Sequence, residues 1–129
     1  MYVRMKRADP GTGRARYEAV ESVRTPKGPR QRVLATWSGG WRAGGTPVPE
    51  EPLAALAATT RALNDQVALL RREQARRVGM WAARDGRGQP GMTRVRDERI
   101  ARQIDHWEAR IAHLDQIADR LHADPGTAR

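Results

Sequence analysis

The segments YVRMKR (2–7), RYEAVESVR (16–24) and RQRVLATW (30–37) read as three β-strands joined by tight turns. In the first, Val3 and Met5 alternate with Tyr2, Arg4 and Lys6, the period-2 pattern of a strand buried on one side only. In the third, Val33, Ala35 and Trp37 alternate with Arg30, Arg32 and Leu34. Asp9-Pro10-Gly11-Thr12-Gly13 and Thr25-Pro26-Lys27-Gly28 place Pro and Gly where turns want them. Connections this short make neighbouring strands antiparallel, so residues 1–38 are expected to form a basic three-stranded meander. Residues 39–52, rich in Gly and Pro, read as a linker, with Trp41 expected to dock on a neighbouring surface.

Beyond the linker the period changes. Leu53, Leu56, Thr60, Leu63, Val67, Leu70 and Gln74 fall at spacings of three and four. Ile100, Ile104, Trp107, Ile111, Leu114, Ala118 and Leu121 do the same. A 3-4 repeat sustained over about three heptads is a coiled-coil or bundle seam. The fold class expected is therefore α+β: the sheet, then an antiparallel helical hairpin over 53–122 with its loop near 86–92 and a frayed tail at 123–129. The first helix is expected to run to about Asp85, and Thr93 is the expected N-cap of the second. The core seam reads as Leu56, Leu63, Val67, Leu70, Ile100, Ile104, Trp107, Ile111, Leu114 and Leu121. Two helices bury one stripe each, and 39% hydrophobic content is thin for 129 residues. A homo-oligomer, completing that core, is expected.

Charge is the other strong signal. The chain carries +9 overall, and residues 1–49 hold ten Lys/Arg against three acids. A second basic segment, 71–102, holds ten Arg against four acids and would form the tip of the hairpin. Intrahelical pairs such as Glu73–Arg77 and Glu98–Arg102 cannot neutralise that excess. A surface this cationic suits a polyanion, and nucleic acid phosphate is the leading partner, with DNA favoured over RNA. The expected contacts from the sheet are Tyr2, Arg4, Lys6, Arg24, Lys27, Arg30 and Arg32. Those from the helices are Arg71, Arg72, Arg76, Arg77, Arg94 and Arg96. The alternative reading is a protein-interaction module or inhibitor whose hairpin and basic sheet dock on an acidic partner surface.

The order YVR, VES-x-R, RQRV, carried by Tyr2-Val3-Arg4, Val20-Glu21-Ser22 with Arg24, and Arg30-Gln31-Arg32-Val33, resembles the N-terminus of insertion-sequence DDE transposases. The resemblance covers about residues 2–40, and Trp37-Ser38-Gly39 stands where that family has Leu-Gly. It implies a DNA-contacting accessory element of mobile-element or phage origin. The residues after this stretch read as helical, with no mixed sheet bearing three carboxylates, so an RNase H-like catalytic domain is not expected in them and transposition chemistry is not carried over.

Several classes are disfavoured. No cysteine excludes disulfides and thiolate metal sites. His106 and His113 are seven residues apart on one helix, about 10 Å along its axis, too far for one zinc ion. Glu18 and Glu21 fall on opposite strand faces, Ser22 and Ser38 lie in no nucleophile motif, and the Gly pairs at 39–40 and 44–45 lack a phosphate-loop Lys. No catalytic residue, metal or cofactor is expected, and the chain reads as a non-enzyme. No apolar run is long enough for a membrane span, and the N-terminus lacks the apolar stretch of a secretory signal. A cytoplasmic protein without a membrane partner is expected.

Overall fold

Alternating strands and 3-4 helices assemble as an α+β chain in the computed structural model, which describes residues 1–9, 13–40, 51–82 and 91–123. The elements are β1 (Tyr2–Asp9), β2 (Arg14–Thr25), β3 (Gly28–Gly39), α1 (Pro52–Ala82) and α2 (Gly91–Ala123). The expected turn at 10–12, the docking of Trp41, the end of the first helix beyond Ala82 and the tail from 124 lie outside the described residues.

The strands form one antiparallel sheet in the order β1-β2-β3. β2 and β3 are joined by Pro26-Lys27 alone, with Thr25 paired to Gly28. Gly28 has φ 107°, a conformation that a Cβ disfavours, and the Thr25 hydroxyl donates to its carbonyl at 2.6 Å. Residues directly opposite share a face, so the register sorts the side chains. Val3, Ala19 and Ala35 are partners in one row; Met5, Tyr17 and Trp37 are partners in the next. This face supplies the core: Val3, Ala15, Tyr17, Ala19, Ala35 and Trp37 are buried, and the Tyr17 and Trp37 rings stack with centroids 6.1 Å apart.

Two irregularities correct the sequence reading. β3 shifts register between the Ala19–Ala35 and Val20–Val33 pairs, which makes Leu34 an extra, unpaired residue. Below that bulge the facing reverses. Val33 leaves the side of Ala35 and Trp37 and lies outward, 45% exposed, while Arg30 and Arg32 move to the inward face, paired with Val23 and Glu21. A second shift, between Met5 and Arg7, makes Lys6 the extra residue of β1.

The chain divides into two compact units that do not follow the linker. One holds the sheet with α1 up to Arg61 and α2 from His113; the other is Ala62–Ala112. In the first unit, Glu51 caps α1, its carboxylate accepting from the Ala54 N–H at 2.9 Å, with Pro52 as the first helical residue. The Trp37 indole N–H donates to the Pro52 carbonyl at 3.0 Å, and the Thr59 hydroxyl lies 3.2 Å from the Ser38 carbonyl. From α2, His113 bonds the bulge carbonyl of Leu34 at 2.7 Å, and Arg120 pairs with Glu21 at 3.1 Å. Ala55, Leu56, Leu114, Ile117 and Leu121 complete this core. Ile117, next to the expected seam residue Ala118, is among the buried ones, on the stretch of α2 that His113 and Arg120 hold against the sheet.

In the second unit the helices run antiparallel: Arg71 pairs with Glu108, and Arg77 with Asp97. Val67, Ile100 and Ile104 are buried, with Leu70, Trp107 and Ile111 packed against them. Leu63 is half-buried. α2 begins at Gly91, inside the expected loop, so Thr93 lies within the helix rather than capping it.

Candidate nucleic-acid interface

β2 alternates strictly, so its even-numbered residues, Arg14 to Arg24, all lie on the face turned away from the Tyr17–Trp37 core. With their partners they make rows across the sheet. Tyr2, Val20 and Val33 form one row. Arg4, Glu18 and Thr36 form the next, with Lys6 reaching it from the bulge. Arg7, Arg16 and Ser38 form the third, and Arg14 lies beyond, opposite Asp9 in register. Arg4, Lys6, Arg7, Arg14, Arg16 and Arg24 are all exposed.

Glu18 is the only buried acid of the described residues, 2% exposed beneath two cations. Arg4 pairs with it at 3.1 Å and Lys6 at 3.3 Å. Arg4 also donates to the Gln31 side-chain oxygen at 2.9 Å, and the Gln31 amide donates to the Tyr2 hydroxyl at 2.7 Å. One chain of bonds thus links all three strands on the outward face. Burial pushes the Glu18 carboxyl up, but the hydrogen bonds and charges of Arg4 and Lys6 outweigh it and hold the group below its ordinary value. A carboxylate lowered on folding adds stability that is full above its unfolded value and lost as pH falls through the folded one. In urea titrations, the wild type is expected to lose more stability than E18Q between about pH 5 and pH 3. Parallel acid limbs in the two proteins would remove Glu18 from the network.

Arg7 and Arg16 are direct cross-strand partners. Like charges placed opposite each other destabilise a sheet. Neither has an ion pair or side-chain hydrogen bond among the described residues, and the same holds for Arg14 and Arg24. Arg7, Arg14 and Arg16 are not among the contacts expected from sequence. The signal that could have found Arg14 and Arg16 is the even-number alternation of β2, which puts them in line with the polar residue 18; Arg7 reaches this face only through the register shift at Lys6.

Other expected contacts are placed elsewhere. Arg32 lies on the inward face, paired with Glu21, which also accepts from Arg120; together, Arg120 first, these bonds hold the Glu21 carboxyl below its ordinary value. Arg30 shares that face, exposed, and Lys27 is exposed in the hairpin turn. In the helical unit, Arg77 is buried at 6% exposure and pairs with Asp97, which also accepts from the Trp81 indole at 3.2 Å. Arg77 is therefore not a surface cation. Arg76 pairs with Glu73 at 2.7 Å, in place of the expected Glu73–Arg77 pair, and Arg71 pairs with Glu108. Arg72, Arg94 and Arg96 are exposed.

Among the described residues no cluster of three or more His, Asp or Glu is arranged to hold a metal ion. His106 packs edge-on against Trp107, and His113 holds the Leu34 carbonyl. Among the described residues no helix is long and apolar enough to cross a membrane. No family model, curated protein or solved structure matches this chain.

Proposed function

We propose that this chain is a small, non-enzymatic nucleic-acid-binding protein whose outward sheet face grips the phosphate backbone. The observation that carries the reading is the Arg7–Arg16 row: two guanidinium groups opposite each other, with no carboxylate paired to either among the described residues to offset the repulsion. A sheet keeps such a row at a cost in stability, and an anionic ligand offsets that cost. Arg4 and Lys6 extend the row, sharing one acid between two cations. The resemblance of residues 2–40 to transposase N-termini points the same way, toward DNA and a mobile-element or phage origin.

Titration of a labelled oligonucleotide against salt tests it. Contacts with four or five phosphates give a log–log slope of about −3 on a single strand, steeper on a duplex. Absence of binding at low salt, or affinity flat with salt, would sink the proposal and favour an acidic protein partner instead. Leu69, Val78 and Val95 are exposed in the helical unit, where such a partner or a second copy would bind. Sedimentation of the free chain beside the titration reports whether a second copy covers them.

A further inference from the structure

The outward face has a second component besides charge. We propose that it binds nucleic acid as a single strand, with a base stacked on the Tyr2–Val20–Val33 row and the backbone running over the arginine rows. This rests on the nucleic-acid reading above and specifies the form of the ligand.

The geometry begins with Tyr2. It stands on β1, yet its hydroxyl accepts a hydrogen bond from Gln31 on β3, on the far side of β2. Two strand spacings of about 4.8 Å separate β1 from β3. Tyr2 and Gln31 can therefore meet only above β2, over Val20. This explains why Val20, on the open face of the sheet, is fully buried. The phenol is tethered across β2 by its bond to Gln31, and Gln31 is held in turn by Arg4. Val33 continues the row, 45% exposed. A tethered aromatic beside an exposed aliphatic offers a base a surface to stack on, and stacking accepts any base because every base has a π-face.

The cations lie at a matching offset. Along β2, Val20 and Arg16 are four residues apart, about 13 Å. The Arg4–Glu18 row lies midway. Base on one row and phosphates on the next two is how an unpaired strand presents itself, with its bases turned away from its backbone. A duplex presents itself differently. Its major groove, about 12 Å wide, admits a helix or a two-stranded ribbon. Three strands offered face-on are too broad to enter, so a duplex would touch the arginines and leave Tyr2 without a base.

Fluorescence anisotropy with three probes of equal length tests this: oligo-dT, the same backbone with abasic residues, and a duplex. The oligo-dT is expected to bind about tenfold more tightly than the abasic strand. Y2A is expected to lose about that factor on oligo-dT and little on the abasic strand. Y2F, which keeps the ring and drops the hydroxyl, retains most of it, and far-UV circular dichroism confirms that each variant folds. Equal affinity for oligo-dT and the abasic strand, or tighter binding of the duplex, overturns the stacking inference and leaves the phosphate reading intact. No binding of any probe at low salt overturns both.

Discussion

The R7E/R16E double variant is expected to lose nucleic-acid binding by about 10²- to 10⁴-fold at low salt, the loss of two charge-assisted contacts with added repulsion. Both side chains are exposed, and neither is buried in the core. The single variant R16E separates binding from folding. It places a carboxylate opposite Arg7, an attractive cross-strand pair in place of a repulsive one. R16E is therefore expected to gain roughly 0.2–1 kcal/mol of stability while binding more weakly. Stability and affinity moving in opposite directions is the signature of a residue kept for a ligand. If R16E binds as the wild type does, the Arg7–Arg16 row is not the contact. A urea midpoint and a salt titration on the same preparation give both readings.

Trp37→Ala is expected to cost about 3–5 kcal/mol, a large part of the roughly 5–15 kcal/mol that holds a typical domain together. Trp37 is buried, stacks on Tyr17 and donates its indole N–H to Pro52 at the start of α1. The substitution opens a cavity, removes an aromatic pair and leaves the Pro52 carbonyl without that donor. Trp37→Phe keeps most of the ring volume but not the N–H, and is expected to cost about 1–2 kcal/mol. Near-UV circular dichroism through urea unfolding measures both. A loss below about 1 kcal/mol for the alanine variant would mean that this ring does not anchor the sheet.

Much of the fold is legible in the sequence because two periods are local properties. Val3 and Met5 alternating with Arg4 and Lys6 can satisfy only a strand, and Ile100-Ile104-Trp107-Ile111 only a helix. Pro26-Lys27-Gly28 marks its own turn. The candidate site is legible only in part. Alternation assigns Arg4, Lys6 and Tyr2 to one surface, and they lie on one surface. It assigns Arg30 and Arg32 to the same surface, and they lie on the other. A single extra residue, Leu34, accounts for the error, because side chains change face every residue and one insertion reverses everything beyond it. Nothing in RQRVLATW announces that insertion. Its cause lies in the pairing with β2, and the Leu34 carbonyl it frees is held by His113, 79 residues away in sequence.

Charge behaves the same way. Composition alone sets the cationic excess, and any fold of this chain must put most of it on the surface. Which cations stay available depends on which acids come near. Helical spacing places Arg77 at the surface with a partner four residues away, yet it is buried against Asp97 on the opposite helix. Arg7 and Arg16, nine residues apart, become opposite partners with no acid paired to them among the described residues. Strand, helix and net charge arise from neighbours in the chain, so the order of residues carries them. Facing, pairing and the choice of free arginines arise from contacts between distant segments, and those exist only once the register of the sheet and the packing of the helices are set.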